Sequence, residues 1–329
     1  MLSFGVIGTS PISHQFIDAA HESKQYQLQA IYSRTKEKAE DFAQNYQNTH
    51  LYTDWHAFLQ ADIDVIYIAS PNSLHFQHAK EALLAGKHVI IEKPMVSTPN
   101  ELCCLRKIAK EKQVFVFEAA RNYHEKAFAI VRQFLANQTI LGATFSYAKY
   151  SSKMAEFLAG GKPNVFSSDF SGGALMDLGI YTLYAAIGLL GKPLSARYSA
   201  HQLANSVDLN GSGQLIYENF LVTISTGKNI TSNLASEIYT SQGTLTLNSC
   251  QEIHTAIFTQ HDGQIFQLEI PPIPKNNMLE EVEAFAHVIK DKHTSLANQW
   301  LDQAEIVHKT LYSMRQDAQI HFKADTNEN

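Results

Sequence analysis

Apolar and polar positions along the chain fall into two regimes. Up to about residue 119, short apolar runs alternate with amphipathic stretches. Leu2–Ile7, Leu28–Ser33, Asp64–Ala69, His88–Ile91 and Val114–Phe117 read as strands. Between them, Pro11–Glu22, Thr35–Tyr46, Asn72–Leu84 and Pro99–Glu111 carry apolar residues at helical spacing. Repeated β–α units imply a parallel sheet with helices on both faces. Right-handed crossovers leave a doubly wound sheet as the simplest topology.

After about residue 120 the rhythm changes. Tyr123–Ala136 predicts a helix, Ala143–Tyr150 a strand, Phe157–Ser171 a polar loop and Ala174–Leu190 a buried helix. Strand-like runs follow at Leu194–His201, Gly213–Tyr217, Phe220–Thr226, Leu234–Thr240, Gly243–Leu247, Ile253–Thr259 and Ile265–Ile270. Asn210-Gly211, Gln242-Gly243 and Asp262-Gly263 are turn signals among them. The pattern predicts an antiparallel or mixed sheet. Pro271-Pro272-Ile273-Pro274 ends it, two helices are expected near Met278–Lys290 and Trp300–Met314, and the polar tail Lys323–Asn329 is expected to fray.

Composition narrows the function classes. The 329 residues are 45% hydrophobic and 18% charged, which is globular composition with room for two domains. A net charge of -6 gives no general attraction to nucleic acid or to an anionic membrane. Cys103, Cys104 and Cys250 form no CxxC pair, which suits a reducing compartment. The N-terminus enters an apolar strand directly, so no signal peptide is predicted and a cytoplasmic location is expected. Gly173–Gly191 mimics a membrane span, but Asp177 inside it favours a buried helix. The fifteen histidines show no ligand spacing, so no metal site is predicted.

Three segments carry candidate chemistry. The strand at 88–91 ends in Glu92-Lys93-Pro94, which puts Lys93 at the rim of the sheet, where open α/β sheets bind ligands. Gly5-Val6-Ile7-Gly8-Thr9-Ser10-Pro11-Ile12 joins the first strand to its helix. A helix N-terminus there can hold a pyrophosphate. Ser10 replaces the second glycine of G-x-G-x-x-G, so these residues equally fit a plain β–α turn. The second strand ends in Ser33-Arg34, where an acid would hold the ribose of NAD. A hydroxyl and a guanidinium suit a 2′-phosphate, which favours NADP over NAD, although Arg34 could also simply solvate a helix start.

Gly5-Val6-Ile7-Gly8-Thr9 and Glu92-Lys93-Pro94, together with Ala69-Ser70-Pro71-Asn72, His75, Ala85-Gly86-Lys87-His88-Val89 and Gly172-Gly173-Ala174-Leu175-Met176-Asp177-Leu178-Gly179-Ile180-Tyr181, resemble the Gfo/Idh/MocA oxidoreductases. They fall in the family's order over essentially the whole chain. The resemblance implies an α/β fold: an N-terminal Rossmann domain over 1–119, then a C-terminal α+β domain over 120–329. That second domain would carry a large open, mostly antiparallel sheet for substrate binding and for a homodimer or homotetramer. It implies hydride transfer between a nicotinamide and a hydroxyl-bearing carbon, most often of a sugar or polyol. Tyrosine at 181, where histidine is commoner, is similar to glucose–fructose oxidoreductase and to the dimeric dihydrodiol and NADP-dependent xylose dehydrogenases. Those relatives mostly use NADP.

Within that resemblance, Lys93, Asp177 and Tyr181 are the expected catalytic residues. Asp177 and Tyr181 are four apart and share a helix face. Oxidising an alcohol needs a base for the hydroxyl proton, and a phenol serves if an ammonium lowers its pKa. Tyr181 is expected to exchange the proton, Lys93 to lower its pKa and orient the substrate hydroxyl, and Asp177 to bind a sugar hydroxyl or position the pair. The expected cofactor contacts are Gly8, Thr9, Ser10, Pro11, Ile12, Ser33, Arg34, Ser70, Pro71, Asn72, His75, Glu92 and Lys93. Arg121, Asn122 and His124 depart from the family's usual pattern and suggest a different substrate pocket. Two other readings stay open: a nicotinamide-binding sensor without turnover, and a redox-neutral NAD-dependent glycosidase of the same fold.

Overall fold

A computed structural model describes residues 1–327. The chain forms two compact units, Met1–Arg121 with Pro274–Asp302, and Asn122–Ile273 with Gln303–Asn329. A single boundary after residue 119 therefore omits one return of the chain. The cause is hydrophobic: Met278, Val282, Phe285 and Ile289 pack into the same core as Phe4, Phe16, Tyr26 and Phe117.

The first unit holds six parallel strands, β1 (Leu2–Ile7), β2 (Tyr26–Tyr32), β3 (His50–Tyr52), β4 (Val65–Ile68), β5 (His88–Glu92) and β6 (Val116–Ala119). Their order is β3-β2-β1-β4-β5-β6. The central strands are buried on both faces, as their continuous apolar runs require. Strand order reverses beside β1, which makes its carboxyl end the crevice of the fold. Helices occupy Pro11–Glu22 and Asn72–Leu84 as expected, while the second is shorter, Lys36–Ala43. Two elements escaped the pattern. β3 is a short, largely exposed edge strand with too few residues to show a period. The helix Trp55–Leu59 follows Asp54, whose side chain accepts the Ala57 N–H at 2.7 Å.

The second unit is built on an eight-stranded sheet. Its strands are β7 (Ile140–Ala148), β8 (Ser195–Gln202), β9 (Asp208–Ile216), β10 (Leu221–Gly227), β11 (Ser236–Thr240), β12 (Gly243–Leu247), β13 (Ala256–Gln260) and β14 (Ile265–Gln267). The order is β14-β13-β12-β11-β7-β10-β9-β8, with β7 and β10 parallel and every other pair antiparallel. Asn210-Gly211 is not a turn but lies inside β9. Glycine is needed there because a Cβ at 211 would meet the Tyr198 hydroxyl at 2.3 Å.

Other departures have local causes. The helix expected at 123–136 breaks at Glu125, whose extended backbone lets its carboxylate accept the Ile253 N–H. The loop 157–171 holds a short helix, Met154–Leu158, at its start and two 3₁₀ turns. The apolar stretch ending at Leu190 is mostly buried. In the tail, Lys323–Asn327 forms a 3₁₀ turn rather than fraying. There Asp325 pairs with both terminal nitrogens of the fully buried Arg315 at 2.7 Å. Residues 328–329 of the expected frayed tail lie outside the described residues.

Candidate functional site

The carboxyl ends of β1, β2, β4 and β5 collect the expected cofactor residues in the first unit. Gly8 leaves β1 with φ +104, and a Cβ there would lie 2.4 Å from Ala69 O, the residue that follows β4. Only glycine lets the two strand ends approach this closely. Thr9 and Ser10 are half-exposed beside it. Ser10 occupies the N-cap of the Pro11–Glu22 helix, yet its side chain caps nothing and instead meets the Ser13 hydroxyl at 3.3 Å. Pro11 starts the helix without an N–H to satisfy. Ile12 packs against the core, so it supports the turn by apolar contact.

After β2, the Ser33 N–H is tied to Tyr52 O at 3.1 Å, and Arg34 projects as an exposed cation. No carboxylate occupies this strand end. After β4, Ser70 is half-exposed and its hydroxyl meets His78 Nδ1 at 3.0 Å. Burial, the nearby His75 ring and the Arg34 guanidinium hold His78 down to about 4, against the pull of Glu81. Pro71 precedes the helix that Asn72 opens, and both are half-exposed.

Lys93 emerges half-exposed from an otherwise buried turn. The turn is held on both sides. His75 Nε2 lies 2.7 Å from Ser70 O, and His75 Nδ1 lies 2.9 Å from Pro94 O. The Met95 N–H donates to Glu118 Oε1 at 2.9 Å, and the Ser97 and Thr98 N–H groups donate to Glu101. Glu92 is itself buried, and the Tyr67 hydroxyl donates to it at 2.7 Å. Burial raises the Glu92 pKa, opposed by Lys93, the Tyr67 bond and Arg121.

His75 is buried with its two ring nitrogens against the Ser70 and Pro94 carbonyls, so it braces the turns at Ser70 and Pro94. A neutral ring can donate to only one of those carbonyls, and burial still lowers its pKa. Glu92 is likewise a brace beneath Lys93. Arg121 is buried and stabilises the charged form of Glu92.

Asp177 and Tyr181 lie in the second unit. Asp177 sits in a π-helical turn, Leu175–Gly179, that leads into the α-helix Ile180–Leu190. Such turns recur at functional sites. Asp208 fixes the start of the turn by accepting the Leu175 N–H and the Tyr198 hydroxyl, each at 2.8 Å. Tyr181 is half-exposed and meets the Tyr147 ring edge-on at 5.4 Å. Asn122 Nδ2 donates to Tyr181 O at 3.2 Å and to Cys250 O at 3.0 Å, which ties the helix to the segment after β12. His124 packs edge-on against Tyr123.

Sequence reasoning missed Lys228. It follows β10 directly, and its ammonium forms an ion pair with Asp177. No motif marks it; only the pairing of β7 with β10 brings it to the π-helical turn. Tyr147 was missed for the same reason.

A dinucleotide fits the first unit by its own chemistry: a glycine-opened strand end, a helix start without a side-chain cap, and an arginine where an acid is absent. Together with the six-stranded sheet order, this is the build of a nicotinamide-dependent oxidoreductase. The chain belongs to the Gfo/Idh/MocA oxidoreductase family. The family's NAD-binding Rossmann fold matches residues 2–120, and its C-terminal domain matches residues 131–246. The chain is 38% identical to the uncharacterized oxidoreductase YgjR of Escherichia coli, over 99% of each chain. It is 31% identical to the NADP+-dependent scyllo-inositol 2-dehydrogenase IolU of Bacillus subtilis, again over 99% of each. Its fold matches that of KijD10, a 3-ketoreductase from Actinomadura kijaniata solved with NADP and TDP-benzene. The TM-score is 0.83 at 21% identity, covering 96% of this chain and 97% of that one.

Proposed function

We propose that this protein is an NADP(H)-dependent dehydrogenase or reductase. It moves a hydride between the nicotinamide and a hydroxyl-bearing carbon of a sugar, polyol or related diol. The observation that carries this reading is Lys93: an ammonium held half-exposed at the carboxyl end of β5 by a turn that His75, Glu118 and Glu101 lock in place. The likeness to the Bacillus subtilis inositol dehydrogenase over nearly its full length supports the substrate class.

When bound, the nicotinamide supplies or accepts the hydride. Gly8, Thr9, Ser10 and the helix start would hold the pyrophosphate, and Arg34 with Ser33 would take the 2′-phosphate. Lys93 donates to the substrate oxygen, Tyr181 exchanges the hydroxyl proton, and Asp177 accepts a hydrogen bond from a neighbouring hydroxyl. The enzyme works in the cytoplasm, a reading its free cysteines support.

It works as a homodimer through the eight-stranded sheet. The alternation of β7 and β10–β14 puts Leu221, Tyr239, Ile257 and Ile265 on one face with Thr144, Thr223, Thr244 and Thr246. Leu221 and Ile265 are exposed there, as a face covered by a second copy would require.

Titration of the purified protein with NADPH and NADH, followed by nicotinamide fluorescence, tests the cofactor. Tighter NADPH binding is expected, and equal or tighter NADH binding would overturn the assignment. Turnover of scyllo-inositol or D-xylose with NADP+ then tests the substrate class, and sedimentation of a single monomeric species would remove the dimer.

A further inference from the structure

We propose that Lys228 is a positioning residue that keeps the Asp177 carboxylate ionised and fixed as a hydrogen-bond acceptor. The proposal deepens the reading of Asp177 as the group that receives a substrate hydroxyl, and rests on it.

The backbone of Lys228 is fastened on two sides. Its N–H donates to Leu209 O at 2.7 Å, and its carbonyl accepts the Ser151 N–H at 2.8 Å. The first bond reaches β9 and the second reaches the segment after β7, so the residue cannot shift without disturbing both. Its stem passes the buried Phe166, with the ammonium 5.9 Å from the ring centroid. The ammonium then ends on Asp177 Oδ2.

The pair is asymmetric. The Lys228 side chain is 5% exposed, whereas that of Asp177 is 30% exposed. A buried lysine is costly unless a carboxylate and good geometry compensate it. A pair serving stability alone has no reason to leave its carboxylate partly exposed while its ammonium is enclosed. Enclosing the cation and leaving the anion accessible yields a fixed acceptor, which suits a neutral hydroxyl donor.

The elements packed against the π-helical turn are β7, β9, β10 and the helix that continues it. Their titratable groups at this end are Tyr147 on β7, Asp208 on β9, Lys228 after β10 and Tyr181 on the helix, with the exposed Lys149 beyond β7. Asp208 is engaged by Leu175 and Tyr198, and the Tyr147 ring lies against Tyr181. Lys228 is the cation placed against Asp177 from these strands. Its removal should therefore raise the Asp177 pKa, by the ordinary effect of losing an opposite charge.

The test is a carboxyl-carbon NMR titration of the full chain carrying ¹³C-labelled aspartate, with Asp177→Asn assigning the signal. In Lys228→Met the Asp177 midpoint should rise by about 1–2 pH units, and in Lys228→Arg it should stay near wild type. An unchanged midpoint in a folded Lys228→Met protein would overturn the proposal. If that variant does not fold, Lys228→Gln is read in the same way.

Kinetics with NADP+ and scyllo-inositol as the probe supply a second readout. In Lys228→Met, KM should rise roughly 10- to 100-fold with a smaller change in kcat. The acid limb of kcat/KM should move with the NMR midpoint. A limb that stays in place while the midpoint moves would also overturn it. Absence of wild-type turnover on the probe would count against the polyol reading, and the NMR titration would still decide the role of Lys228.

Discussion

The Tyr67 hydroxyl donates to Glu92 Oε1 at 2.7 Å beneath the turn that carries Lys93. Tyr67 is held in turn by a parallel stack on Phe16, with ring centroids 3.7 Å apart. The Lys93 turn thus rests on the core of the first unit. Tyr67→Phe leaves a buried carboxyl without this donor and should cost about 1–3 kcal/mol in urea unfolding. Burial raises the Glu92 pKa above its ordinary 4.5. Such a carboxyl binds its proton more tightly in the folded state, so it weakens the fold as pH rises from that value. Glu92→Gln should accordingly gain stability relative to wild type as pH is raised above 4.5. A pH-independent difference between the two would contradict this assignment.

His78 gives the opposite slope. Its pKa is held down to about 4, against an ordinary 6.5, by burial first and then by the His75 ring and the Arg34 guanidinium. Its contribution to stability is complete above 6.5 and is lost as pH falls toward 4. Melting temperatures between those limits should therefore fall less steeply in His78→Gln than in wild type. Parallel curves would show that His78 does not titrate as described.

Arg34 stands at the exposed end of β2 with no acid beside it at the strand end. If it pairs with the 2′-phosphate, Arg34→Ala should weaken NADPH binding roughly 10- to 100-fold. NADH binding should change little, because that cofactor lacks the phosphate. Equal losses for both cofactors would mean that Arg34 acts on the fold of the turn.

Lys93→Met should lower turnover by roughly 10²–10⁴ while NADPH affinity changes little. Tyr181→Phe should reduce kcat by a similar order and flatten the pH dependence attributed to the phenol. Its packing against Tyr147 involves only the ring, so the fold should survive. Normal turnover in either variant would remove that residue from the chemistry.

Much of the site's skeleton is local and was legible. Leu2–Ile7, Pro11–Glu22 and Asn72–Leu84 appear with the bounds that their apolar periods predict. Gly8, Arg34 and Lys93 stand at strand ends because a β–α unit always delivers the residue after its strand to the same edge. His75 was visible as a residue of the helix start, but its role was not. Which carbonyls a histidine meets depends on where the Ser70 and Pro94 turns come together, and no local pattern encodes that.

By itself, then, the sequence determined the β–α alternation, the glycine-opened turn, the cationic strand end and the spacing of Asp177 and Tyr181, because each is fixed by a few adjacent residues. Tertiary structure decided the rest. It returned residues 274–302 to the first unit, since their apolar face matches a core formed by residues far away in the chain. It placed Gly211 inside a strand, where the Tyr198 ring needs the space. It also set Lys228 against Asp177, 51 residues earlier, because strand pairing across β7 and β10 joins segments with no shared local signal.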